Sequence, residues 1–94
     1  MRIRYTPRAR DDLAEILKYL DDRSPQGSRN VKRTIRKTIE LIGQFPLGGR
    51  DAEEMGTRVL AVGRYPYLIY WSVSGDSAWI VHIRDGRRAP WTGQ

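Results

Sequence analysis

Apolar residues recur with a helical period in the first half of the chain and with a period of two in the second. Leu13, Ile16, Leu17 and Leu20 form one apolar helix stripe. Thr6-Pro7 reads as the start of that helix, with Thr as N-cap and Pro at the first helical position. Asp11 and Asp12 lie in its early turns, where the helix dipole favours acids. The polar stretch Asp21 to Gly27 contains Pro25 and breaks the helix, and Ser24 or Ser28 can cap a second one. Val31, Ile35, Ile39 and Ile42 give the next stripe, which Gly43 closes as a C-terminal glycine. The spacing predicts an antiparallel helical hairpin over roughly residues 8–44.

The segment Phe45 to Arg50 is a loop by its Pro and Gly content. Thr57 to Val62, Tyr67 to Val73 and Ser77 to Arg84 are rich in β-branched and aromatic residues and read as strands. Gly63 to Pro66 turns between the first two, and Ser74-Gly75-Asp76 turns tightly between the last two. Arg2 to Tyr5 alternates polar and apolar residues and forms a short N-terminal strand. The predicted fold is therefore α+β: a short strand, a helical hairpin, then a three-stranded antiparallel meander with the hairpin on one face. Asp85 to Gln94 reads as a tail or ragged strand extension.

Composition narrows the class. The 94 residues suffice for one domain, 1–94, and are too few for two. No cysteine is present, so disulfides and thiolate metal sites are excluded and a reducing cytoplasm fits best. The start MRIRYTPRARDD lacks the apolar run of a secretory signal, and no apolar stretch is long enough to span a bilayer. The net charge of +6 favours a polyanionic partner: nucleic acid, an anionic membrane surface or an acidic protein. Clustering sharpens this beyond general solubility. Arg29, Lys32, Arg33, Arg36 and Lys37 are uninterrupted by any acid, and Arg84, Arg87 and Arg88 have only Asp85 among them.

Candidate chemistry is sparse. Gly48-Gly49 lacks the lysine and helix start of a phosphate-binding loop. One histidine and no cysteine leave no His- or Cys-based zinc site, and no cofactor is expected. Glu53-Glu54 beside Asp51 reads as a solvated turn. In the last strand, strict alternation places Ile80, His82 and Arg84 on one face, open to solvent or a groove. Trp79, Val81 and Ile83 then fall on the other, as core. Arg87 and Arg88 lie just beyond, Arg58 joins them across the sheet, and Trp91 adds an amphipathic contact.

Several segments, in this order, resemble the RelE/ParE superfamily of toxins from type II toxin–antitoxin systems. They are Tyr5-Thr6-Pro7-Arg8-Ala9 with Asp11-Asp12-Leu13, Phe45-Pro46 with Gly48-Gly49-Arg50, Arg58-Val59-Leu60, Tyr65 to Tyr70, and Val81 to Arg88 through Trp91. The resemblance covers nearly the whole chain and implies the fold just described. It also implies a cognate antitoxin whose acidic, partly disordered segment wraps the toxin, with operator DNA reached only indirectly through that antitoxin. The RelE-like branch cleaves mRNA on the ribosome; here that would enlist Arg58, His82, Arg84 and Arg88. The ParE-like branch poisons DNA gyrase by binding, without chemistry of its own. Asp85 stands before Gly86-Arg87 where a histidine is common, Trp91 offers no catalytic hydroxyl, and Lys18, Lys32 and Lys37 all lie in the helices. These departures favour the ParE-like branch, with Arg84, Arg87, Arg88 and Trp91 as the target-binding set.

Overall fold

The computed structural model describes residues 1–87. The element order is β1 (Arg2–Tyr5), α1 (Pro7–Arg23), α2 (Pro25–Gln44), β2 (Arg50–Asp51), β3 (Arg58–Ala61), β4 (Tyr67–Ser74) and β5 (Ser77–Asp85). The α+β class, the helical hairpin and the antiparallel meander β3-β4-β5 are as the sequence predicts. The sheet itself is larger and mixed, with five strands in the order β1-β5-β4-β3-β2. The short N-terminal strand lies parallel to β5, pairing Arg2 with Ser77 through Tyr5 with Ile80. A two-residue strand, β2, adds to the far edge beside β3.

The helix boundaries follow from caps. Thr6 accepts the Ala9 N–H at 3.1 Å and so caps α1, with Pro7 at the first turn where its missing N–H costs nothing. The break between the helices is far shorter than the polar stretch implied. Ser24 alone is both the C-cap of α1 and the N-cap of α2, accepting the Gly27 N–H at 3.0 Å. Gly43 does not end α2; the helix runs to Gln44 and Phe45 closes it. Gly43 serves close approach instead. A Cβ there would lie 3.3 Å from the Met1 carbonyl oxygen, and the Gly43 carbonyl accepts the Met1 ammonium at 2.9 Å.

Both helices bury their apolar stripes against one sheet face. Val31, Ile35, Ile39 and Ile42 from α2 meet Ile69, Trp71, Ala78, Ile80 and Ile83 from the central strands. Trp71 is fully buried and its indole N–H donates to the Pro46 carbonyl at 2.9 Å, which folds the loop after α2 over the sheet. Gly49 makes that approach possible. Its φ is +68°, and a Cβ there would sit 2.7 Å from both the Trp71 ring and the Val59 carbonyl oxygen. Gly75, at φ +60°, has nothing within 4 Å and supplies the positive φ of a two-residue hairpin turn.

The two glycines separate conformation from sterics. Gly75→Ala is expected to cost about 1 kcal/mol for a left-handed alanine alone. Gly49→Ala adds an overpacking cost of about 1–3 kcal/mol. Thermal melts of the two variants are expected to rank Gly49→Ala well below Gly75→Ala; equal melting temperatures would contradict the close packing at Trp71.

Candidate functional site

The site is built where β1 ends and α1 begins. β1 covers the outer edge of β5 only as far as Ile80, where the Thr6 N–H donates to the Ile80 carbonyl at 3.0 Å. The Thr6 hydroxyl lies 3.3 Å from the carbonyl oxygens of both Ile80 and Val81, so the start of α1 is fastened to β5. From Ile83 onward no strand among the described residues pairs with the outer edge of β5, and the Ile83 amide needs another acceptor. The Asp12 carboxylate takes that place, accepting the Ile83 N–H at 3.0 Å. The same oxygen, Oδ2, lies 2.6 Å from Nδ1 of His82.

The register of β4 against β5 pairs Tyr70 with His82 but Trp71 with Ile80, which leaves Val81 as the extra residue of a bulge. The bulge overturns the strict alternation expected for the last strand. Ile80 and Ile83 are both core, 0% and 2% exposed, whereas Trp79 and Val81 are only half-buried. His82 is not an open strand residue: it is 7% exposed and stacks on Tyr70, with ring centroids 5.7 Å apart.

Burial pushes the His82 pKa below the ordinary imidazole value of 6.5. Arg8 and Arg84 push the same way by charge, while Asp12 opposes through its hydrogen bond and its charge. The folded protein therefore holds a neutral imidazole that donates Nδ1–H to Asp12. A buried histidine of this kind is a structural connector first; its base is poorly placed for a solvent-borne substrate.

The arginines divide. Arg84 donates from Nε to the Tyr70 hydroxyl at 3.0 Å and from Nη1 to the Asp85 carbonyl at 3.2 Å. Arg87 grips the Asp85 carboxylate with two bonds, 3.0 and 2.7 Å, and its backbone N–H adds a third at 2.9 Å. Asp85 thus organises the turn after β5 as well as adding negative charge to it. Arg58 does not join this group. In the sheet register it shares a row with Trp71 and Ile80, whereas Arg84 shares a row with Leu68 and Ala61. That is two strands across and three residues along, roughly 10 Å in each direction. Arg58 instead donates to the Gly48 carbonyl at 2.7 Å and pairs with Asp51 at 3.1 Å, which ties β3 to the loop beside β2. Arg88 and Trp91 lie outside the described residues.

Two participants escaped sequence reasoning. Asp12 reads in the sequence as one of two helix-start acids, and Tyr70 as one more aromatic of a strand. Their roles depend on the short reach of β1 and on the bulge, neither of which has a sequence signal. A second surface feature lies at the C-terminal end of α2. There Leu41, Phe45, Leu60 and Trp71 line an apolar groove, with Phe45 61% exposed.

Among the described residues no group of three metal-ligating side chains converges, and no helix is long and apolar enough to cross a membrane. Solved structures sharing this arrangement include the chromosomal ParDE toxin–antitoxin system of P. aeruginosa. The match has a TM-score of 0.81 at 25% identity and covers 90% of this chain and 95% of that one. The fold is thus that of a toxin–antitoxin protein. A Sinorhizobium fredii protein named as a toxin, Y4kP, is 32% identical over 75 residues, 80% of this chain and 78% of its own length. Toxin RelE3 of Caulobacter vibrioides is 28% identical over 79 residues, 83% and 86% respectively. The family of ParE toxins of type II toxin–antitoxin systems matches residues 3–90, and the chain belongs to it.

The neutral imidazole fixes a direction of pH dependence. Because the folded pKa is lowered, the unfolded chain binds more protons than the folded one as pH drops through about 6.5. Stability is therefore expected to fall from pH 7 toward pH 5.5 and to stop falling on this account below the folded pKa. Asparagine at 82 keeps a donor for Asp12 and cannot titrate. Urea midpoints of His82→Asn are expected to vary less than wild type over that window; parallel profiles would remove His82 as the cause.

Proposed function

We propose that this chain is a toxin that acts by binding, with DNA gyrase as its target, and that an acidic segment of a cognate antitoxin silences it. What supports binding over cleavage is the dispersal of the groups a ribonuclease would need. Arg58 is engaged by Gly48 and Asp51 away from Arg84, and His82 is buried, neutral and bonded to Asp12. General base catalysis requires a base within hydrogen-bond reach of the substrate proton; the Asp12 bond leaves Nε2 as the basic nitrogen, but the residue is only 7% exposed. The net charge of +6 suits an acidic antitoxin segment, and the groove at Leu41, Phe45 and Leu60 offers apolar anchorage that charge alone does not supply.

The turn after β5 is the part proposed to meet the target. Asp85 holds the Arg87 guanidinium while leaving its side chain 74% exposed. Arginine's planar fork suits carboxylates and phosphates, and Arg and Trp are frequent among interface hot spots. Arg84, Arg87, Arg88 and Trp91 together form the proposed contact set. Loss of ribosome-bound mRNA on induction, in place of a DNA-damage response, would favour the ribonuclease branch.

Two growth assays at matched protein levels test the reading. His82→Asn is expected to keep toxicity within a few-fold, whereas loss of a general base slows cleavage by roughly 10²–10⁴. The double variant Arg87→Ala, Arg88→Ala is expected to abolish toxicity while thermal stability stays within about 0.5 kcal/mol of wild type. Lys32→Ala with Lys37→Ala removes the same charge from α2 and is expected to remain toxic. Equal loss in both double variants would reduce the site to bulk charge.

A further inference from the structure

The cations of α2 differ in kind from those near the C-terminus. Arg29, Lys32, Arg33, Arg36 and Lys37 are all exposed. At 100° per residue, Val31, Ile35, Ile39 and Ile42 point into the core, Arg33 and Lys37 point most directly away from it, and Arg29 and Arg36 lie beside them. Lys32 lies at the border of the buried stripe. None of the five has a carboxylate within ion-pair distance among the described residues; the nearest acid along the helix, Glu40, pairs with none of them. Arg29 donates to the Gln26 side-chain carbonyl at 2.6 Å, which braces its guanidinium at the helix start, and Arg36 lies close enough to Tyr5 to act on its hydroxyl by charge.

Five like charges on two and a half turns repel one another at i,i+3 and i,i+4 spacing, so the free helix gains nothing from them. A polyanion would reverse the sign. The arc holds no apolar or aromatic residue, and that absence selects the class of polyanion. A protein partner needs a desolvated apolar centre with aromatic or aliphatic anchors. A phosphate backbone needs only cations that release its counterions. The exposed apolar residues nearby, Leu41 in α2 and Phe45 just after it, lie apart from the arc, at the C-terminal end beside the groove. From Arg29 to Lys37 the stripe runs about 12 Å, more than the roughly 3.4 Å of helix axis per phosphate of one DNA strand, and so reaches more than one phosphate.

We infer that the outer face of α2 is a sequence-independent binding surface for the phosphate backbone of nucleic acid. It is separate from the turn after β5, and it gives the toxin direct contacts to a polynucleotide in addition to any made by a bound partner. Arginine supplies paired N–H donors to phosphate oxygens, and three of the five cations are arginine.

The test uses the purified full chain and a fluorescent 30-base-pair duplex of mixed sequence. Four phosphate contacts give a slope of log affinity on log salt near about −3.6, or roughly 100-fold weakening between 50 and 200 mM salt. The triple variant Arg29→Gln, Arg33→Gln, Arg36→Gln is expected to flatten that slope by about 2.7 and to weaken binding more than about tenfold at 50 mM salt. Glutamine retains helix propensity, and circular dichroism verifies the fold. The comparison variant Arg2→Gln, Arg10→Gln, Arg50→Gln removes three exposed charges from β1, α1 and β2 and is expected to shift the slope by less than about one. Equal losses in the two triple variants, or an unchanged slope in the α2 variant, would overturn the assignment. Single-stranded RNA of the same length forms a second arm, and tighter binding of either polymer identifies the source of the phosphates. Poly-glutamate forms a third: dependence on the stripe as strong as that of DNA would reassign the face to an acidic protein.

Discussion

The Asp12 carboxylate is the joint on which the arrangement of helix and sheet depends. β1 is only four residues long, so it pairs the outer edge of β5 as far as Ile80, and among the described residues no strand continues beyond it. A buried amide without a partner costs about as much as a broken hydrogen bond, and a sheet edge offers a template for unwanted pairing. Asp12 removes that liability from within the chain by accepting the Ile83 N–H, and its grip on His82 fixes how α1 lies along β5. Thr6 acts at the near end of the same junction, capping α1 while bonding to β5. A residue 70 positions away thus sets the environment of the chain's one histidine.

That dependence explains what could be read from the sequence. The hairpin of helices was legible because its two apolar stripes and its Thr-Pro and Ser-Pro starts are local signals. The meander was legible because Gly75 marks its tight turn and β-branched residues mark its strands. The parallel pairing of β1 with β5 was not, because contact between residues over 70 apart leaves no local periodicity. The bulge at Val81 was not legible either, and it alone turned the expected faces of β5 around. Gly43 misled for a related reason: glycine ends helices, but it also permits close approach, and here the N-terminus of the chain needs the space.

Of the arginines grouped from the sequence, the structure brings some together and separates another. Arg84 and Arg87 do lie together at the end of β5. Arg58 was grouped with them on strand position, yet its row in the sheet is that of Ile80, and the carboxylate that claims it, Asp51, is on β2. In the sequence Asp85 stands out only as a departure from the histidine that the resemblance leads one to expect before Gly86-Arg87. In space it holds the exposed Arg87 guanidinium with two hydrogen bonds.

The same electrostatics separates two basic regions that composition merges into one net charge. Near the C-terminus, positive charge is held by neighbours: Arg87 by Asp85, Arg84 by a tyrosine hydroxyl and a carbonyl. Such groups are oriented in advance and can recognise a shaped partner. On α2 the cations project from the helix without carboxylate partners, which favours a diffuse polyelectrolyte contact over an oriented one. The core tolerates this division because the α2 cations sit opposite its buried stripe. Charge on that face can vary without disturbing packing beneath it, whereas any change at Asp12, Tyr70 or His82 is felt by the sheet. The fold therefore places its permissive surface on α2 and its structurally coupled surface at the end of β5, so the two can be altered independently.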